Sequence, residues 1–200
     1  NLANYLHNIS QINDDAARVR FSMNKVVLLL PPTGLKVYED KRRTVVTSST
    51  KQVSQTDIAN VISRMCNANQ DATYGLVDIV PLLYYIDGGR SEKKPLECLS
   101  NSLGMKALLY TLPLRTIDMY KKTLELANIR IQKITLAPNA IAALLYKKAN
   151  IPDVYFYLDI GSHLTTISLI NKKHVYASNA IQIGGDLLTK NIIVINRFDI

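Results

Sequence analysis

The sequence predicts an α/β fold that carries an inserted α+β subdomain. Predicted strands and helices alternate after residue 104, and this alternation is the pattern of α/β folds. Before residue 104, several predicted strands surround one amphipathic helix, which is typical of a separate α+β subdomain. The length of 200 residues is enough for one large domain or two small ones, each with its own hydrophobic core.

The composition is that of a folded chain, with 48% hydrophobic and 20% charged residues. These values exclude disordered, collagen-like and low-complexity proteins. The longest apolar run, residues 76–86, is interrupted by Asp78 and Pro81 and is too short to span a bilayer. The first residues lack the pattern of a signal peptide, and two cysteines cannot form a disulfide framework. We therefore expect a soluble, cytosolic protein.

The first half of the chain begins with two predicted helices that flank a strand. Residues 2–20 place apolar side chains on one helical face. Residues 25–30 form an apolar run that predicts a buried strand, which two prolines then end. Ser54 and Asp57 have the spacing of a capping box, so we expect a helix to begin at this point.

A charged hairpin is predicted between these two helices. Residues 35–38 and 44–47 have strand-like patterns and are separated by the charged residues 39–43. This arrangement would place Arg42 and Arg43 at the tip of the hairpin. Such a tip is usually solvated, but it is also well placed for a contact with a protein partner.

Two short apolar strands and a polar loop complete the first half. The strands are expected at residues 76–80 and 82–86, on either side of a proline. Residues 87–95 are rich in glycine and charge, so we expect them to form a loop near a domain boundary.

The second half has a regular alternation of elements, in which Asn128 is expected to end a helix and residues 171–173 to form a hairpin turn. The predicted strands lie at residues 105–112, 129–136, 154–158, 165–170 and 174–181, and the predicted helices at residues 114–127, at 138–146 and from about residue 185.

Two segments of this half have the chemistry of a phosphate site. Asp159 ends a predicted strand, and Gly161 two residues later allows a backbone conformation with positive φ in which amides can converge on an anion. Asp159 could also hold a hydrated Mg²⁺, and Thr165 offers a hydroxyl group nearby. Further along, Gly184 and Gly185 precede a helix, where small residues and a helix N-terminus favour the approach of a phosphate.

These segments, in this order, resemble the actin/Hsp70/sugar-kinase superfamily. Residues 157–168 resemble its second phosphate loop, and residues 138–146 resemble the helix that connects its two halves. Within the superfamily, residues 80–87 resemble the I-P-x-x-Y-x-I-D segment of the bacterial cell-division family FtsA, and residues 25–65 resemble the inserted subdomain 1C of that family.

This resemblance implies a partial actin-like (ribonuclease H-like) fold with an inserted 1C/SHS2-type subdomain. The inserted subdomain would span residues 1–104, part of subdomain 1A residues 105–150, and the start of subdomain 2A residues 151–200. The resemblance implies nucleotide contacts at Asp159, Gly161, Ser162, His163, Leu164, Thr165, Gly184, Gly185 and Asp186, with Mg²⁺ held by Asp159 through water.

Proteins of this family are ATP-binding, polymer-forming scaffolds, so the resemblance also implies a function. The whole protein would bind ATP and Mg²⁺, contact copies of itself, anchor the tubulin-like FtsZ to the membrane and recruit other division proteins. It would act in the cytoplasm, at the inner face of the membrane at the division site. Subdomain 1C would serve contacts with protomers and division proteins.

The chain departs from the family pattern in several places. One D-x-G motif with the context of a phosphate loop is found, at residues 159–161, whereas the superfamily holds nucleotide between two such loops. The segment that grips adenosine, the FtsZ-binding subdomain 2B and the C-terminal membrane helix are not found either, so we expect a truncated piece rather than a divergent relative. We expect this chain to hold half of a nucleotide site, to bind ATP poorly and to contain no catalytic residue. The full-length protein would be at most a weak ATPase.

Three alternative functions remain open at this point. A PilM-like scaffold of type IV pilus assembly would share the Gly-Gly helix but usually lacks the I-P-x-x-Y-x-I-D segment. A phosphotransferase of the same superfamily would need a general base and a second phosphate loop. A nucleic-acid module is suggested only by the formal net charge of +8. His7 and His174 lack partners at metal-ligand spacing, and His163 is expected to be a solvated loop residue.

Overall fold

A computed structural model describes residues 13–14, 19–20, 25–92, 94–148 and 150–196. The chain forms two compact units. Unit 1 comprises Asn1–Gly34 and Leu112–Ile200, and unit 2 comprises Leu35–Thr111. Unit 2 is thus an insertion in unit 1, whereas the inserted subdomain expected from the sequence spans residues 1–104, and residue 104 falls within a strand.

The elements of both units can be numbered in chain order. The strands are β1 (Asn13–Asp14), β2 (Val19–Arg20), β3 (Lys25–Leu30), β4 (Lys36–Val45), β5 (Tyr74–Ile86), β6 (Arg90–Glu92), β7 (Ser102–Pro113), β8 (Arg130–Leu136), β9 (Val154–Ile160), β10 (Thr165–Asn171) and β11 (His174–Ile181). The helices are α1 (Gln55–Ala68), α2 (Leu114–Leu126), α3 (Ala137–Lys148) and α4 (Gly185–Asn196).

Unit 2 is a four-stranded sheet, in the order β4-β7-β5-β6, with α1 packed against one face. Strand β7 is internal and has buried residues on both of its faces. The apolar residues of α1 recur at three- and four-residue intervals, so Val61 and Met65 both point into the core. The buried core residues are Val46, Val53, Val61, Met65, Ile86, Leu103, Met105, Ala107 and Leu109.

The hairpin predicted across residues 39–43 is wrong, because these residues lie inside the single strand β4. This strand pairs with β7 without interruption, from Lys36 opposite Thr111 to Val45 opposite Ser102. The charged segment contains no glycine, proline or asparagine that would favour a turn, and its side chains alternate between a more buried and a more exposed face. Consequently Arg42 and Arg43 are strand residues on opposite faces of the sheet.

Two other expectations for unit 2 are also wrong. The segments 76–80 and 82–86 form one continuous strand, β5, in which Pro81 is exposed. The polar stretch at residues 87–95 does not mark a domain boundary. It contains a 3₁₀ turn at Asp87–Gly89 and strand β6, and the Asp87 carboxylate accepts hydrogen bonds from the backbone N–H groups of Asn101 (2.6 Å) and Ser102 (3.1 Å).

The capping box predicted for α1 is present. The Ser54 side chain accepts a hydrogen bond from the Asp57 backbone N–H, and the Asp57 carboxylate accepts one from the Ser54 backbone N–H at 2.9 Å. The same buried carboxylate also accepts bonds from the backbone N–H and the hydroxyl group of Thr47, at 3.1 and 3.2 Å. Asp57 therefore joins the start of α1 to the segment that follows β4.

Unit 1 contains a parallel pair of strands, β3 and β8, as expected for an α/β arrangement. Helix α2 connects to β8 through Asn128, whose φ of 57° is left-handed and ends the helix as the sequence predicts. Leu124, Ala127 and Ile129 form a small core against Val26, Leu28 and Ile131.

The remaining part of unit 1 is a three-stranded antiparallel sheet in the order β11-β10-β9. Lys172 has a φ of 56° in the tight turn between β10 and β11, which confirms the predicted hairpin. Strand β9 lies at the edge of the sheet, and Val154, Phe156, Leu158 and Ile160 on one of its faces are between 56% and 71% exposed.

The helix predicted for residues 2–20 is not found in the four residues of this range that the structure describes. Asn13–Asp14 and Val19–Arg20 form the short antiparallel strands β1 and β2, and the other residues of the predicted helix lie outside the described residues. Among the described helices, none is long and apolar enough to cross a membrane.

Replacing Asp57 by alanine is expected to destabilise unit 2. The substitution removes the acceptor of four hydrogen bonds and leaves donors of Ser54 and Thr47 without a partner. We expect the free energy of unfolding to fall by about 2–4 kcal/mol, because a helix cap and buried charge-assisted hydrogen bonds are lost together. Urea denaturation followed by circular dichroism measures this change, and an unchanged midpoint would contradict it.

The same carboxylate predicts a pH dependence of stability. Burial acts to raise the pKa of Asp57, but hydrogen bonds from Ser54 and Thr47 outweigh burial and hold the pKa below its usual value. A carboxyl group with a lowered pKa in the folded state contributes stability above its unfolded pKa of about 3.9 and loses it as the pH falls through the folded pKa. Asp57→Asn should therefore flatten the stability profile below about pH 4, whereas Glu125→Gln, at an exposed position of α2, should leave it unchanged.

Candidate functional site

A four-residue loop, Gly161 to Leu164, connects β9 to β10 at one end of the antiparallel sheet. The Gly161 backbone N–H donates a hydrogen bond to the Leu164 carbonyl oxygen at 2.9 Å, which closes the loop. The Asp159 side chain is exposed at the end of β9, immediately before this loop. These are the residues at which the sequence predicts a phosphate-binding loop.

The loop is bonded to the N-terminus of α4. The backbone N–H groups of Gly185 and Asp186 donate to the carbonyl oxygens of Gly161 and Ser162, each at 2.9 Å. In addition, the hydroxyl group of Thr165 donates to the Ile183 carbonyl oxygen at 2.6 Å. The first N–H groups of a helix have no partner within it, and here the loop carbonyls supply the partners for two of them.

This arrangement changes the role expected for the Gly-Gly segment. The sequence predicts a bound phosphate at the N-terminus of this helix, whereas the N–H groups of Gly185 and Asp186 donate to carbonyl oxygens of the loop. Gly161 also differs from expectation, because the described glycines with positive φ are Gly34 and Gly89. The segment 184–186 therefore holds the loop in place through hydrogen bonds to its carbonyl oxygens.

Gly184 is needed because the two backbones approach each other closely. A methyl group at this position would overlap the carbonyl oxygens of Gly161 and Ser162, and the atoms involved are backbone atoms that cannot rotate away. At Gly185 the nearest atom to such a methyl group would be 3.9 Å away, which is an ordinary contact. Only the first glycine of the pair is therefore required by the packing.

His163 makes a further contact between the loop and α4. Its Nδ1 atom lies 3.0 Å from Oδ2 of Asp186, while 81% of the histidine side chain is exposed. The sequence predicts a solvated loop histidine. The side chain is solvated, but it also lies close to the Asp186 carboxylate, a contact that the sequence spacing of 23 residues does not reveal.

Asp159 lines a cavity of about 370 Å³ in unit 1. The cavity lies where β3 and β8 end, since these parallel strands have Leu30 and Leu136 as their last paired residues. Ligands of open α/β sheets bind beyond the carboxyl ends of the strands, so the position is typical of a binding site. The lining residues are Leu29, Pro31, Pro32, Tyr120, Ala137, Pro138, Ile141, Tyr157, Asp159, Gly161, Leu164 and Thr166.

Three of the nine predicted nucleotide contacts line this cavity: Asp159, Gly161 and Leu164. The other six belong to the loop, to the start of β10 and to the residues at the start of α4. They are Ser162, His163, Thr165, Gly184, Gly185 and Asp186. Sequence reasoning missed the prolines and Tyr120 of the cavity wall. The sequence shows the prolines that follow β3 and the proline near the start of α3, but it does not show that they line the same cavity.

The cavity is mostly apolar, and Asp159 supplies its negative charge. Burial raises the pKa of Tyr157, and the neighbouring charge of Asp159 raises it further, so this phenol stays protonated at neutral pH. Mg²⁺ is often held by one or two carboxylates together with water and phosphate oxygens, and Asp159 fits that role. Within the described residues, no group of three or more His, Cys, Asp or Glu side chains could hold a metal ion by itself.

The remaining candidate residues have structural surroundings. Burial lowers the pKa of His174, and its Nδ1 atom makes no hydrogen bond within the described part of the chain. Cys98 packs against the core of unit 2, and both it and Cys66 are free thiols. His7 lies outside the described residues. Neither His174 nor the two cysteines line the cavity.

The two arginines predicted for protein contact have different surroundings. The Nε atom of Arg42 lies 2.9 Å from the Asp40 carboxylate, on the face of the sheet that α1 covers. Burial acts to raise the pKa of Asp40, but hydrogen bonds from Asn69 and Arg42 lower it overall. Arg43 is exposed on the opposite face. Arg42 therefore pairs with Asp40 while 41% of its side chain stays exposed, and Arg43 lies on the opposite face.

Substitution of the two consecutive glycines tests the packing of the loop. We expect Gly184→Ala to lower the free energy of unfolding by about 1–3 kcal/mol, because the added methyl group forces the loop away from α4. Amide signals of residues 161–165 should shift in the NMR spectrum. Gly185→Ala adds the same methyl group where space exists, and its effect should stay below about 0.5 kcal/mol. Equal effects of the two substitutions would contradict the packing argument.

Comparison with known proteins identifies the inserted unit. Residues 34–111 match the family described as the SHS2 domain inserted in FTSA, and these bounds agree with those of unit 2 to within one residue.

Curated relatives cover most of the chain. It is 25% identical over 183 residues to the cell division protein FtsA of Streptococcus pneumoniae. The matched region covers 92% of this chain and 40% of the relative. It is 24% identical over 190 residues to FtsA of Bacillus subtilis, and this match covers 94% of this chain and 43% of the relative. The chain thus spans less than half the length of these relatives.

A solved structure supports the fold. The PilM-PilN type IV pilus biogenesis complex matches with a TM-score of 0.56 and 17% identity, over 98% of this chain and 53% of that chain. At this identity the likeness shows a shared fold alone. Together with the SHS2 match, it confirms the predicted fold class, an α/β fold with an SHS2-type insert. The chain is related to the cell-division protein FtsA and carries the SHS2 domain that is inserted in it.

Proposed function

We propose that this chain belongs to an FtsA-like scaffold of bacterial cell division, in which unit 2 is the 1C interaction subdomain. The observation that carries this proposal is the combination of a self-contained SHS2 unit with FtsA relatives that cover more than nine tenths of the chain. Residues 151–200 would form the start of subdomain 2A, and the strand and helices before them part of subdomain 1A.

The loop and cavity of unit 1 support a role in nucleotide binding by the whole protein. Asp159 and Gly161 line the cavity, and Gly184 allows the loop to be held rigidly on α4. A rigid loop favours binding because less conformational freedom is lost when a ligand is bound. Asp159 would hold Mg²⁺ through water, and ATP would set the shape of the protomer for polymer contacts. This chain would supply half of that site and no catalytic residue.

The wider role follows from the family. The whole protein would act in the cytoplasm at the inner face of the membrane, contact copies of itself and FtsZ, and recruit other division proteins. Its membrane contact would be a C-terminal amphipathic helix. The alternative of a PilM-like pilus scaffold shares the fold, but the SHS2 match and the FtsA relatives favour cell division.

Calorimetric titration with Mg-ATP tests the half-site. We expect no measurable heat of binding for this chain, because it offers one phosphate loop and a single carboxylate. In the full-length protein we expect binding that Asp159→Asn weakens by about tenfold or more, since the substitution removes the contact to hydrated Mg²⁺. Micromolar binding by this chain would show that it builds a complete site and would contradict the half-site proposal.

A two-hybrid assay in bacteria tests the assignment to cell division. The full-length protein and this chain are each paired with the division proteins and the pilus-assembly proteins of the same organism. We expect division proteins to interact with both, and the chain's interactions to require residues 35–111. Interaction with pilus proteins alone would favour the PilM-like alternative and overturn the proposal.

A further inference from the structure

One face of the sheet in unit 2 carries a cluster of cations. Directly paired residues of antiparallel strands have their side chains on the same face, so the register places Lys41 beside Lys106 and Arg43 beside Gly104. This is the face opposite α1. We name it the cationic face and define it by Lys41, Arg43, Lys106 and Tyr85.

Neighbouring side chains hold two of these cations, Lys41 and Lys106, in place. The Nζ atom of Lys41 lies 3.9 Å from the centre of the Tyr85 ring, a cation–π contact. Tyr85 lies beside Gly104, where a methyl group would come within 3.5 Å of its Cβ atom, so bare backbone leaves space for the tyrosine. The Nζ atom of Lys106 lies 2.5 Å from the Glu39 carboxylate. Side chains that are already ordered lose less entropy when they bind a partner.

The cationic face breaks a rule of sheet stability. Like charges directly opposite each other on neighbouring strands repel, yet Lys41 and Lys106 occupy such a pair. Glu39 is the one acidic residue among the paired β4 and β7 residues of this face, and Lys106 contacts it. Local rules are most often broken where function requires it. An excess of ordered cations is suited to an acidic partner.

The surroundings favour a protein over a nucleic acid or a membrane. Val45 lies on the same face and is 64% exposed, so an apolar side chain adjoins the cations. Polyanions are bound through many phosphate contacts, and this face offers few cations. A protein segment that combines carboxylates with an apolar residue matches both features.

We propose that the cationic face binds an acidic, partly apolar segment of a partner protein. The proposal rests on the proposed role of unit 2 as an interaction subdomain and adds a surface and a partner chemistry to it. Lys41 and Arg43 would pair with carboxylates of the partner, Tyr85 would keep the Lys41 ammonium in position, and an apolar partner residue would cover Val45.

Fluorescence anisotropy with an acidic probe tests this proposal. The probe is a short fluorescein-labelled peptide of glutamate and leucine in a two-to-one ratio. We expect the double substitution Lys41→Glu and Arg43→Glu to weaken binding about tenfold or more, because attraction becomes repulsion. The control, Lys121→Glu with Lys122→Glu, makes the same charge change at an exposed doublet of α2 and should alter affinity less than about twofold.

Further variants keep the test independent of folding defects. Lys41→Arg should retain binding, and Tyr85→Leu should weaken it by about twofold to fivefold through loss of the cation–π contact. NMR signals of β4 and β7 should shift on addition of the peptide. Equal losses in both double variants, or shifts confined to other strands, would overturn the proposal, as would tighter binding of single-stranded RNA or phosphatidylglycerol vesicles. The two-hybrid assay tests the cell-division role, and the anisotropy measurement tests the cationic face. Failure of one proposal can therefore be distinguished from failure of the other.

Discussion

The structure depends on the burial of β7 on both of its faces. Nearly every residue from Leu103 to Leu112 is removed from solvent, so this one strand supplies a large part of the hydrophobic stabilisation of unit 2. Helix α1 covers one face of the strand, and β4 pairs along its length. Because the register of this pairing is fixed by burial, it also decides which charges of β4 are covered and which face solvent.

A second constraint, the close approach of two backbones at Gly184, shapes the candidate nucleotide site. The loop carbonyls cap the N-terminus of α4, and α4 holds the loop in place. A phosphate bound near this loop would meet a rigid support and not the free end of a helix. The comparisons relate the chain to FtsA, while this geometry describes how the loop between β9 and β10 is held against α4.

Sequence reasoning succeeded where local signals were strong. The capping box of α1, the left-handed stop at Asn128 and the strand and helix order of the second half were all predictable, because each depends on residues close together in the chain. It failed at residues 39–43, where a run of charges suggested a turn. There the pairing with β7, more than sixty residues away in the chain, outweighs local preference and keeps the segment extended.

The sequence by itself determined the helices and strands of the second half, the start of α1 and the position of the Asp159 loop, since periodicity, capping residues and short motifs encode these features locally. Only the tertiary structure decided which residues share the cavity, because the ends of β3 and β8 meet through parallel pairing across about one hundred residues. It also decided that Arg42 lies on the face that α1 covers and pairs with Asp40, whereas Arg43 lies on the opposite face, because adjacent strand residues point to opposite faces and only the packing of α1 distinguishes those faces.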